Sequence, residues 1–217
     1  MSSNKFSAIK VTTICLAILG GIISLVHGIF EILQGNVAPD GIRIEAIGLA
    51  QRFWEHGGEP ALTIIPNFLI TGILATAISI LVIFWAIFFI DKKQGTIGLI
   101  ILTILMLLFG GGFASPTFMI LAIFASSRIN KPLTFWEKYF PYKLRYFLSK
   151  FWIVGLLIFI LYILFSIEAG IFGYPLTEIF DSDTALAFLR NVGIAITFVL
   201  GPIVIFLALI SDTIKKK

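Results

Sequence analysis

Charge is scarce in this chain: 13% of its 217 residues are Asp, Glu, Lys or Arg, against about a quarter in an ordinary soluble domain. Cysteine is scarcer still. Cys15 stands alone, which excludes a disulfide scaffold, and its place amid apolar residues leaves it a protonated, inert thiol. There are two histidines, His27 and His56, and neither belongs to an H-E-x-x-H signature or a Ser-His-Asp constellation. No lysine sits in mid-span to hold retinal, and no arginine ladder marks a voltage sensor. Strand alternation is missing as well, so no glycine-rich nucleotide loop follows a strand.

What fills the chain is apolar. Hydrophobic residues make up 59% and aromatics 14%, and the mean hydropathy is +1.04. That composition excludes disorder and leaves an integral membrane protein. Long apolar stretches run from Val11 to Ile32, Ala61 to Ile90, Thr96 to Ser127, Phe151 to Ile167 and Val192 to Ile210. Crossing a hydrocarbon core of about 30 Å takes roughly 20 helical residues, so four of these read as single spans. The third is interrupted by Gly110, Gly111, Gly112, Phe113, Ala114, Ser115 and Pro116.

Charge decides how that interruption is read. If Thr96 to Ser127 goes out and returns as a helical hairpin turning at Gly110–Pro116, 13 of the 16 Lys and Arg residues fall on one side. The positive-inside rule makes that side cytoplasmic. The expectation is an all-α polytopic bundle in the cell membrane, a single domain over residues 1–217 with six membrane elements: four full spans and the hairpin. Both termini are expected in the cytoplasm. The first run is too long for a signal-peptide core and no convincing cleavage site follows it, so it stays as a helix.

Two connecting segments carry expectations. Residues 35–59 read as an extracytoplasmic amphipathic loop or short helix, the helix having Asp40 as cap, Gly57 and Gly58 as stop, and Ile42, Ala46, Leu49 and Phe53 on one face. Residues 132–150 interleave aromatics with basic side chains. Tethered between spans, they read as a cytoplasmic interfacial belt on membrane lipids rather than a nucleic-acid surface.

Chemistry concentrates in the first two spans. Gly20, Ser24 and Gly28 repeat every four residues and form a smooth face for close helix packing. His27 and Glu31 project from nearly the same face, with His27 about 25 Å along the axis from Lys10. His56, Glu59, Thr63, Asn67 and Thr71 read as a polar stripe down the outer half of the second span. Pro60 sits in its first turn, and Pro66 frees the Leu62 carbonyl inside it. Glu168 reaches the same depth near the end of its span.

These groups predict an outer-leaflet pocket of His27, Glu31, His56, Glu59, Asn67 and Glu168, binding or transporting a small polar or amphiphilic ligand. There, Glu31 and Glu59 supply charge, the histidines bind or relay protons, and Asn67 orients the ligand. A second reading is an intramembrane enzyme in which the pairs His27/Glu31 and His56/Glu59 hold zinc or iron to activate water against a lipid-borne substrate. A third is a non-catalytic subunit whose small-residue faces dock a partner helix or a second copy. The triglycine run reads as a tight turn rather than an anion nest, and the Gly193, Thr197 and Gly201 spacing as packing.

Overall fold

The computed structural model describes residues 7–215 and is 72% helical. Lys5, Lys216 and Lys217, three of the charges behind the expected sidedness, lie outside the described residues. The chain runs α1 (Ala8–Gln34), β1 (Arg43–Glu45), β2 (Pro60–Leu62), α2 (Phe68–Phe88), α3 (Gly95–Leu108), α4 (Ala114–Ser126), α5 (Thr134–Tyr139) and α6 (Tyr142–Ser149). It continues through α7 (Trp152–Phe172), α8 (Ser182–Ala195), a π-helical segment (Ile196–Leu200) and α9 (Gly201–Lys215). Four helical runs are long and apolar enough to cross a membrane: α1, α2, α6 running into α7, and α8 running through to α9. The shorter apolar helices α3 and α4 form the expected hairpin and measure about 21 and 20 Å.

α1 is the axis of the bundle and packs on α2, α4, α7 and α9. Its small residues set how closely. A Cβ on Gly28 would run into the α2 backbone at Gly72 and Thr76, and one on Gly20 would meet Met119 and the Ser115 carbonyl of α4. Between them Ser79 Oγ donates to Ser24 Oγ at 2.8 Å. The core beneath is apolar, with Leu16, Val82, Leu99, Met106, Met119, Phe159 and Ile205 all but fully buried. Outward faces of α2, α3 and α7 expose Leu81, Phe84, Ile104, Leu157 and Leu161, an apolar exterior that suits lipid rather than water.

The beginning of α1 and the end of α9 meet at one end of the bundle. Asp212 accepts hydrogen bonds from Ser7 Oγ (2.5 Å), Ala8 N (2.6 Å) and Ile9 N (3.1 Å), so a residue of α9 satisfies the free amides that open α1. At the same end Lys10 pairs with Asp91 at 2.7 Å, and that hydrogen bond holds the Asp91 carboxyl below the usual carboxylate range. Asn130 Nδ2 donates to the Asp91 carbonyl there, closing the hairpin's base. α5 and α6 fold the 132–150 segment against α9, with the rings of Trp136 and Phe140 on Phe206.

Three expectations are corrected at the opposite, loop end. Residues 35–59 are not a helix: β1 pairs antiparallel with β2, Ile44 opposite Ala61, and only a 3₁₀ turn forms at Leu49–Gln51. Arg43 to Ala46 alternates exposed and buried, a period of two that competes with the helical one, while Leu49 and Phe53 point outward. α2 starts at Phe68 rather than near Pro60, because Pro66 disfavours helical backbone at Ile65 and the Asn67 side chain caps the helix by accepting from Ile70 N at 3.1 Å. The stripe His56, Glu59, Thr63, Asn67 is therefore not a helix face. The Leu62 carbonyl is not left free either, since it accepts from the Gly110 amide at 2.8 Å. Thr63 and Ile64 go on to pair with Phe109 and Leu108, so the loop reaches down to the tip of the hairpin.

Candidate functional site

Two features sit side by side at the loop end, both built on α1. The first is a polar seam. Gly110 and Gly112 adopt φ of +87° and +78°, open to glycine, and lay the hairpin turn flat against α1. A Cβ on Gly110 would strike the Glu31 carboxylate, one on Gly111 would strike Ser24 Oγ, and one on Gly112 would strike the His27 ring. The three glycines thus cover three successive polar positions of α1, spaced three and four residues apart. Glu31 is fully buried, and neither of its carboxylate oxygens has a hydrogen-bond partner among the described residues. His27 is 3% exposed. Its Nε2 lies 2.9 Å from Glu59 Oε2, the ring nitrogen donating when Glu59 is ionised, and its Nδ1 has no partner among the described residues.

The second feature is a cavity of about 420 Å³ bounded by α1, the β1–β2 loop, α4, α7, α8 and the π-helical segment. At the loop end its wall carries His27, Glu59, His56 and Arg190, and Trp54 beside them donates Nε1–H to the Gly170 carbonyl at 3.1 Å. Further along α1, α4 and α7 the wall is Ile23, Phe118 and Ile163, interrupted by Ser166 and Thr197. Ser166 Oγ is buried with no partner among the described residues. The π-helical segment contributes Thr197 and Phe198 directly, and such bulges recur where helices build functional sites. Gly170 and Gly193 leave the space open: a Cβ on Gly170 meets nothing, and one on Gly193 comes no nearer than 3.9 Å to Tyr162.

No family model, curated protein or solved structure matches this chain.

The six residues expected in one pocket divide between several places. His27, His56 and Glu59 line the cavity. Glu31 does not: it lies under Gly110, sealed from it. Asn67 caps α2 and donates to Asn36 Oδ1 at 2.6 Å, and Glu168 is exposed on α7; neither lines the cavity. The metal arrangement of His27, Glu31, His56 and Glu59 is not assembled. His27 pairs with Glu59 rather than Glu31, and His56 donates Nε2–H to Asp183 at 3.0 Å. Among the described residues no three His, Cys, Asp or Glu side chains converge as metal ligands. The spacing assumed helical backbone from His56 onward, whereas His56 and Glu59 lie on the loop before β2, His56 paired with Asp183 and Glu59 with His27.

Sequence reasoning missed Trp54, Ser166 and Arg190. The signal was present for two of them: Arg190, Gly193 and Thr197 follow one helical face, and Ser166 and Gly170 another.

Proposed function

We propose that this is a multi-pass cell-membrane protein whose loop-end cavity binds or transports a small amphiphilic ligand from the outer leaflet. One observation carries the reading: a 420 Å³ cavity with ionisable side chains at one end and an aliphatic and aromatic wall at the other. Such a wall takes a hydrocarbon chain, while His27, Glu59, His56 and Arg190 supply both charge signs and hydrogen bonds for a polar head.

In this reading the loop end is extracytoplasmic, both termini are cytoplasmic and the membrane elements number six. Support comes from Lys10, Lys92, Lys93 and the basic residues of 128–150, which gather with the start of α1 and Asp212 of α9 at the other end of the bundle. The α3–α4 arms are each shorter than the hydrocarbon thickness, and the residue 62–64 segment meets their turn from the opposite side. Backbone at that depth keeps its hydrogen bonds through this pairing, as lipid demands. Exposed Phe135, Tyr139, Tyr142, Tyr146 and Phe147 on α5 and α6 suit the headgroup region of the cytoplasmic leaflet.

Trp54 provides the test. Fatty acids brominated along the chain should quench its fluorescence saturably in purified protein, against a Trp54→Phe background. Gly170→Leu fills the cavity where a Cβ has open space, so it should abolish saturable quenching with the fold intact. Undiminished saturable quenching in Gly170→Leu would refute the reading.

A further inference from the structure

Glu31 and His27 share an unusual situation: two ionisable side chains, essentially buried, each with unsatisfied atoms, one helical turn apart on the same helix. Both lie under the same turn, Glu31 beneath Gly110 and the His27 ring beneath Gly112. Glu31 contributes nothing to the cavity wall, and a buried unpaired carboxyl weakens a fold rather than supporting it. Structural glue would show the opposite pattern, with partners made. His27 is joined at its other nitrogen to Glu59, whose side chain is 48% exposed.

We propose that Glu59, His27 and Glu31 form a proton relay that loads Glu31 from the loop end of the protein. The relay starts with Glu59 protonated and donating to Nε2 of the Nδ1–H tautomer. That proton crosses to Nε2 while the ring gives up its Nδ1 proton towards Glu31, whose carboxylate becomes a neutral carboxylic acid. Nε2–H is left donating to ionised Glu59. The imidazole is left as the other tautomer, and return of a proton along the same path resets it. No atom beyond the proton is exchanged. Imidazole suits the middle position because its two nitrogens accept and donate at opposite edges, with an ordinary pKa near neutrality.

The surroundings isolate this path. α2, α3, α4 and the turn between α3 and α4 contain no titratable side chain, so those elements bring no charge to the pair. Charge reaches the His27 neighbourhood from the β1–β2 loop, as Glu59 and His56, and from α8, as Arg190; His56 is held by Asp183. The relay stands apart from the identity of any ligand in the cavity.

Infrared spectroscopy of the full chain in lipid nanodiscs tests it. A protonated-carboxyl carbonyl band should be present near neutral pH in the wild type and absent in Glu31→Gln. On transfer to D₂O the band should shift promptly in the wild type and about a hundredfold more slowly in His27→Phe, the low end of what a positioned proton-transfer group contributes. Glu59→Gln, at a side chain 48% exposed, should slow the shift as well even if His27→Phe folds poorly, and His56→Ala should leave it as in the wild type. A band that survives Glu31→Gln, or exchange as fast in Glu59→Gln as in the wild type, would overturn the relay.

Discussion

Replacing Gly110 with alanine tests the seam between α1 and the hairpin in one step. Two penalties are expected. The residue sits at φ +87°, and left-handed backbone costs an L-residue about 1–2 kcal/mol. The new Cβ also lands on the Glu31 carboxylate, and forcing an extra methyl into a filled space costs about 1–3 kcal/mol. Gly110→Ala should therefore destabilise the protein by about 2–5 kcal/mol. In a Glu31→Ala background the second penalty disappears and about 1–2 kcal/mol remains, so the two substitutions should couple by about 1–3 kcal/mol. Equilibrium unfolding of the four proteins in mixed micelles, with denaturing detergent as the variable, measures this coupling. An equal cost in both backgrounds would refute the packing of Glu31 beneath Gly110.

Further outcomes follow from the same contacts. Asp212→Ala removes the acceptor for Ser7 Oγ and the Ala8 and Ile9 amides, and should cost about 1–2 kcal/mol in the same unfolding assay. His56→Ala should change stability by less than about 1 kcal/mol, because its partner Asp183 is 92% exposed; a larger loss would show the pair to be structural. Asp91 has its folded pKa lowered by Lys10, so the stabilisation it gives is present above its unfolded value of about 4 and is lost as pH falls through the folded one. Asp91→Asn should accordingly show a shallower loss of stability in acid titrations than the wild type.

The helices were legible because lipid imposes long apolar runs that nothing else in this sequence resembles. α1 extends the run expected from Val11 to Ile32 by a few residues at each end, and the hairpin turns where three glycines interrupt Thr96 to Ser127. The loop end was not legible. Arg43 to Ala46 satisfies a period of two as well as 3.6, and its pairing partner, Pro60 to Leu62, lies 15 or more residues away, beyond any local pattern. Extending α2 back to Pro60 placed Glu59 and Asn67 on one helix face; Pro66 and the Asn67 cap undo that. His27 and Glu59 nonetheless meet, although the reasoning that joined them assumed a helix. Glu31 was recognised as a buried acid on α1, but its isolation depends on the Gly110 turn, whose approach only the tertiary fold supplies.

The three bonds to Asp212 carry a consequence for the order in which this protein is made. α1 leaves the ribosome before α9, and the acceptor that completes its opening turn is synthesised more than 200 residues after it. Until α9 arrives, α1 must hold its opening amides in water or headgroups. The last contacts at this end of the bundle therefore wait for α9, and a chain stopped short of Asp212 would have its earlier helices and the Lys10–Asp91 pair but no acceptor for the opening amides of α1.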